Sequence, residues 1–202
     1  MKKILSILIC SLMVLPMASQ QKKTITTQKR KTAVSQPKKT TFQFKLQCNA
    51  TFKKDGENNY YVVDFGKKSA HQLYMDVLSN IASMFRNPDL VTSKVEDRSI
   101  VINGYADDIA WYKDWLDYST SVSLSYRIDL QFKDGKIRVN APTIEEIYTS
   151  SASGIKKLSD QGSVDYGMNH EFGTHKDVFE SIDKYLNMVI TSVVYGSKDD
   201  DW

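Results

Sequence analysis

Residues 121–141 read SVSLSYRIDLQFKDGKIRVNA, and no other stretch of the chain restricts its fold as tightly. Val122, Leu124, Tyr126, Ile128, Leu130 and Phe132 alternate with polar residues, which is the period of a strand with one buried face. Asp134-Gly135 is a two-residue turn signal, and Ile137 and Val139 resume the alternation beyond it. With the turn there, Phe132 falls opposite Ile137, Leu130 opposite Val139 and Ile128 opposite Ala141. Apolar meets apolar at each step, and a slip of one residue would turn the whole set to water. The other face carries Ser123, Ser125, Arg127, Asp129, Gln131, Arg138 and Asn140, with Gln131 opposite Arg138 and Asp129 opposite Asn140.

The rest of the chain supplies a cover for the apolar face. Ala70, Leu73, Tyr74, Val77, Leu78, Ile81, Ala82 and Phe85 recur at helical spacing behind a capping box of Ser69 and Gln72, and Asn87-Pro88 ends that helix. A second helix starts at Thr174, its cap, with Asp177 in the first turn and a stripe of Val178, Ile182, Tyr185, Leu186, Val189 and Val193. Two short strands are expected at 91–96 and 99–105, with a turn near Asp97-Arg98. The segment ADDIAWYKDWLDYST suits a short helix or a loop, with Asp107 or Asp108 as a cap. Residues 149–174, rich in Ser and Gly, read as a long loop.

Near the start, Phe42, Phe44, Leu46, Cys48, Ala50 and Phe52 alternate with polar residues. A turn at Asp55-Gly56 would set Leu46 opposite Phe65, Cys48 opposite Val63 and Ala50 opposite Tyr61. The sum is a two-layer α+β domain over 41–195, an antiparallel β-sheet with two amphipathic helices on one face and a polar outer face.

The ends carry different information. Lys2 and Lys3, an apolar run from Ile4 to Leu15 and small residues at Ala18 and Ser19 make residues 1–19 read as a secretory signal peptide. The run of about 12 residues is short for a membrane span, which needs about 20. Removal of Cys10 with it leaves Cys48 alone, so no internal disulfide is expected, and Cys48 reads as a small core residue. Residues 20–40 hold Lys22, Lys23, Lys29, Arg30, Lys31, Lys38 and Lys39 and no acid, and so few apolar residues that they read as a flexible basic linker. From Thr41 onward, 18 Lys and Arg face 24 Asp and Glu, and residues 196–202 close the chain as an acidic tail. An export signal on an acidic body argues against nucleic acid as the partner.

The stretches VVDFGKKSAHQLYMDVLSNI, RSIVINGYA and LSYRIDLQFKDGKIRVNAPTIEEIY together resemble a family of exported proteins of Bacteroides-type bacteria, a domain of unknown function with a TATA-binding-protein-like (TBP-like) fold. The likeness covers about Tyr60 to Tyr148 and rests on the Leu73-Tyr74 pair of the helix and the Lys133 to Lys136 turn followed by Arg138. It implies the order strand, helix, four strands, helix, to which Phe42 to Phe52 add an N-terminal strand. It implies no reaction and no catalytic residues, and a fold shared with a DNA-binding protein does not carry DNA binding with it.

Three clusters invite chemistry. In MNHEFGTHKD, His170 and His175 are five apart with Gly173 between them, which is not the four-residue spacing of a helical zinc site. Asp107-Asp108 beside Trp111 and Trp115 suggests carboxylates and stacking rings for a glycan; the simpler reading is aromatic cover for one end of the sheet. No glycine loop cradles phosphate and no serine lies in a nucleophile elbow, so the sequence assigns no cofactor, metal or catalytic residue. The remaining candidate is binding: Arg127, Asp129, Gln131 and Arg138 on the polar hairpin face, offered to a protein or glycan partner of the cell envelope. The alternative is a hydrolase acting on glycan or peptide, through the Asp107 region or the His170 to His175 loop.

Overall fold

The computed structural model describes residues 39–47, 49–54, 59–113, 117–161, 163–164, 167–168 and 175–196, which lie within one compact unit, 36–202. The signal-peptide segment, nearly all of the basic stretch, Cys48, the Asp55-Gly56 turn, Trp115, His170, Thr174 and the acidic tail beyond Gly196 lie outside the described residues.

The elements run β1 (Lys45–Leu46), β2 (Phe52–Lys53), β3 (Tyr60–Asp64), α1 (Ala70–Met84), α2 (Pro88–Val91), β4 (Thr92–Val95) and β5 (Ser99–Lys113). Then come β6 (Ser119–Lys133), β7 (Lys136–Asn140), β8 (Thr143–Ser151), β9 (Gly154–Lys157), a 3-10 turn over Leu158–Gln161 and α3 (Lys176–Tyr195). The main sheet is antiparallel in the order β3-β7-β6-β5-β4, with β8 added to the free side of β6 and β9 to β8. One face is apolar: Val122, Leu124, Tyr126, Ile128 and Leu130 of β6 are fully buried beneath α1 and α3. The two helices also pack on each other, and the Asn80 side chain donates to the Val193 carbonyl at 2.9 Å. The result is the two-layer α+β architecture read from the sequence.

The central hairpin follows its pattern. Phe132 pairs with Ile137, Leu130 with Val139 and Gln131 with Arg138. Gly135 takes the left-handed φ of +74° that the turn demands and that glycine adopts without a Cβ penalty. The turn is also an anchor: Phe65 N–H donates to the Gly135 carbonyl and Asp134 accepts from the Ala70 N–H, at 2.7 and 2.9 Å. The ladder stops short of the expected Ile128–Ala141 and Asp129–Asn140 pairs. Asn140 pairs with Tyr60 on β3 instead, and Ala141 N–H donates to Asn59, as the chain turns through Pro142 into β8. Both bonds of the α1 capping box are present.

Other expectations change as well. Residues 42–52 do not pair with 60–65, because β3 pairs with β7, where Tyr61 meets Val139 and Val63 meets Ile137. Nor is 42–52 one strand: the chain reverses after Leu46, and β1 and β2 form a separate hairpin in which Leu46 pairs with Phe52. Phe42, Phe44, Leu46 and Phe52 are buried, and α3 holds the first arm: Asn187 accepts the Phe44 N–H and donates to its carbonyl, and Asp183 accepts the Leu46 N–H. Helix side chains thus satisfy a backbone that a neighbouring strand would otherwise satisfy. Secondly, the ADDIAWYK part of the ambiguous segment is neither helix nor loop but the second half of β5, so no helix is capped by Asp107 or Asp108. Thirdly, the 149–174 loop begins as structure, with β8 running to Ser151 and β9 returning from Gly154. Lastly, the final helix is preceded by His175, with no side-chain cap, and Pro88 opens the single turn α2 instead of merely ending α1.

Candidate functional site

No described helix covers the outer face of the sheet, and what it displays is set by parity along β5, β6 and β8. On β6 the outward residues are Ser121, Ser123, Ser125, Arg127, Asp129 and Gln131, since their neighbours form the core. Opposite them on β5 stand Trp111, Tyr105, Asn103, Val101 and Ser99. From β8, Ser150 faces Ser121, Tyr148 faces Ser123 and Glu146 faces Ser125.

A bulge shapes this face. Ala106 pairs with Leu124 and Ala110 with Val122, so three residues of β5 lie against Ser123 alone. Ser123 holds the bulge from below: its hydroxyl donates to the Asp107 carboxylate at 2.6 Å and accepts the Asp108 N–H at 3.0 Å. Asp108 has a left-handed φ of +48°, which Asp tolerates better than most residues. Because the insertion preserves parity, Ala110 and Tyr112 return to the core and Trp111 faces out.

The outcome is a cavity of about 480 Å³. Tyr105 and Trp111, 58% and 57% exposed, stand on its β5 side with Asp107 and Asp108. Tyr148, its ring centroid 6.1 Å from that of Tyr105, lines it from β8. Ser121, only 3% exposed, and Ser150 also line it.

Beside the cavity, β8 is locked by Glu146. Its carboxylate accepts from the Ser159 hydroxyl and N–H, from the Ile147 N–H and from Lys157 Nζ, the last at 2.9 Å. Burial alone would raise the Glu146 pKa; the bonds from Ser159, Lys157 and the backbone outweigh it and hold it below the ordinary carboxylate range.

The four residues singled out from the sequence stand on the outer face but not in the cavity. Gln131 and Arg138 meet across the hairpin. Arg138 is already occupied, its guanidinium 4.0 Å from the Tyr60 ring centroid and its Nε donating to Asn140 at 3.0 Å. Arg127 is exposed, opposite Asn103 and Thr143, and Asp129 lies opposite Val101. The Asp107 and Trp111 cluster is brought together, joined by Tyr105 and Tyr148, which sequence reasoning missed. A signal was present: Ala106 and then Ala110-Trp111-Tyr112 continue the alternation of β5 across the two aspartates. His175 packs on Tyr112, centroids 4.8 Å apart, at the start of α3. Elsewhere, His71 of α1 bonds Asp97 at 2.8 Å with Glu96 nearby, a largely solvent-facing trio that ties the helix to the β4–β5 turn.

Two solved structures are similar to this chain. A TBP-like protein from Parabacteroides distasonis is 10% identical, with a TM-score of 0.44, over 76% of this chain and 99% of its own. A DUF4468 family protein from Bacteroides ovatus is 12% identical, with a TM-score of 0.34, over 81% of this chain and 99% of its own. No family model and no curated protein matches the chain.

Proposed function

We propose that this chain is an exported, non-catalytic binding module of the bacterial envelope, with the outer face of the sheet as its working surface. The observation that carries the reading is the contrast between the two faces. One is closed by α1 and α3, while the other exposes Tyr105, Trp111 and Arg127 around and beside an open cavity. A contiguous group of exposed rings rimmed by polar side chains marks an interaction surface. Export is supported by the basic, apolar and small-residue succession of residues 1–19. No helix among the described residues is long and apolar enough to cross a membrane.

A hydrolase is the second reading, because the cavity does gather two carboxylates with aromatic rings. A glycosidase pair flanks the scissile bond from two sides. Asp107 and Asp108 are consecutive in one bulge, and Asp107 is held by Ser123, which suits fixed acceptors better than an acid and a base.

Expression with residues 1–19 intact tests export: a processed chain starting near residue 20 in the envelope fraction is expected, and an unprocessed cytoplasmic chain overturns it. Retention on envelope extract tests the face. Arg127→Ala combined with Arg138→Ala is expected to reduce retention, and unchanged retention removes the hairpin face.

A further inference from the structure

We propose that the cavity between β5, β6 and β8 binds a neutral saccharide made of flat, β-linked pyranose rings; the assignment rests on the outer face being the working surface.

Three features select this ligand. The first is the pair of rings. Tyr105 and Trp111 are more than half exposed on the wall of a concave site, and such rings offer apolar faces with polar edges. The C–H face of an equatorially substituted pyranose is flat and apolar while its rim is all hydroxyl, so ring and sugar match in both respects. The second is the hydroxyl-rich floor. Ser121 is almost fully buried and lines the cavity, and Ser119 and Ser150 line it too. A serine hydroxyl both donates and accepts, as a sugar hydroxyl does, and it loses little rotamer freedom on binding. Ser123, by contrast, is consumed in fixing Asp107 and Asp108, so the wall is set before a ligand arrives.

Charge is the third. Asp107 and Asp108 line the cavity, and among the described residues neither Lys nor Arg does. Two acceptor-only groups suit vicinal diols and repel phosphate, sulfate and uronate, which excludes acidic glycans and nucleic acid from this site. The volume of about 480 Å³ lies inside the range of roughly 300–1,000 Å³ of small-molecule sites.

Isothermal titration of the full chain with cellotriose, chitotriose and trigalacturonate tests the assignment. Saturable binding of a neutral trisaccharide is expected, with none of trigalacturonate. Trp111→Ala and Tyr105→Ala are each expected to weaken it by roughly tenfold or more, and Trp111→Phe, which keeps a stacking ring, to retain most of it. Circular dichroism of these variants should match the parent, since both side chains project into solvent. Absence of binding by both neutral trisaccharides up to about 10 mM overturns the proposal, as does equal affinity in Trp111→Ala or preference for trigalacturonate. If the titrations fail while Arg127→Ala with Arg138→Ala still loses envelope retention, the saccharide falls alone. If titration and retention are both without effect, the outer-face reading falls with it.

Discussion

Gly104 on β5 lies directly opposite Tyr126 on β6, and the Tyr126 ring occupies the space in which a Cβ on Gly104 would stand. Such an atom would overlap Cζ and the hydroxyl and lie 2.6 Å from Cε2. Glycine in a strand interior weakens the strand, so its presence marks a close approach. Tyr126 is fully buried and has nowhere to swing. Gly104→Ala is therefore expected to destabilise by about 1–3 kcal/mol or more. Urea titration checks this, and Tyr126→Leu in the same chain should recover part of the loss, giving a coupling energy of about 1–3 kcal/mol. Strict additivity of the two changes would show that the ring is not what excludes the methyl.

The Tyr126 hydroxyl is buried with no partner at hydrogen-bonding geometry among the described residues, and the Tyr185 ring centroid lies 6.0 Å from its own. Burial, reinforced by Tyr185, raises its pKa far above the ordinary phenol value. A buried unsatisfied hydroxyl costs about 1–3 kcal/mol, and removing it while keeping the ring relieves that cost. Tyr126→Phe is expected to be neutral or to stabilise by about 1 kcal/mol. A loss above about 1 kcal/mol in thermal or urea unfolding would mean that the hydroxyl is satisfied in solution.

Why was the hairpin legible and the cavity not? The register of Phe132 with Ile137 follows from two local facts, an alternation and an Asp-Gly turn, and both lie within 20 residues of sequence. The β5 bulge breaks the alternation with Asp107-Asp108, which reads locally as a turn or a helix cap. Only the pairing with β6, through Ser123, makes it a strand. Tyr148 and Tyr105 meet through β6, a relation no local pattern encodes. The 42–52 segment departs from its pattern for a related reason: period 2 reports one buried face, not the identity of the neighbour, and here β1 pairs with β2 and packs on α3. Arg127, Asp129, Gln131 and Arg138 were placed on the correct face because parity alone decides it.

Asn187 is the clearest test of that α3 contact. Its amide accepts the Phe44 N–H at 3.0 Å and donates to the Phe44 carbonyl at 2.8 Å, replacing one residue of a missing strand partner. Asn187→Ala leaves both groups without this partner and is expected to destabilise by about 1–3 kcal/mol. Limited proteolysis of the variant should give new cuts within residues 41–47 before the helices are touched. Unchanged cleavage and unfolding would show that Phe42 and Phe44, packed on Tyr61, suffice to hold the segment.

Glu146 predicts acid sensitivity beside the cavity. Its folded pKa lies below the ordinary value of 4.5, so its contribution is present above that pH and is lost as pH falls through the folded pKa. Glu146→Gln is expected to cost about 1–2 kcal/mol at neutral pH and to flatten the decline in stability below pH 4.5. Parallel urea midpoints for parent and variant from neutral to acid pH would contradict the role of the Ser159 and Lys157 bonds.

Asp183 predicts the opposite slope. Burial lifts its pKa from 3.8 to about 6, against the opposing effect of the Leu46 N–H bond. The folded chain therefore holds a proton that the unfolded chain has released, and stability is higher below pH 3.8 and declines as pH rises through about 6. Asp183→Asn keeps an oxygen for the Leu46 N–H and removes the charge. At pH 7 the variant is expected to exceed the parent by about 1 kcal/mol, a figure reduced for the partial exposure of the carboxylate. At pH 4 the gap should close. Urea midpoints of both proteins between pH 4 and pH 7 decide it, because a variant weaker than the parent at pH 7 would mean that the charge itself, through Leu46 and Lys45, holds the segment to the helix.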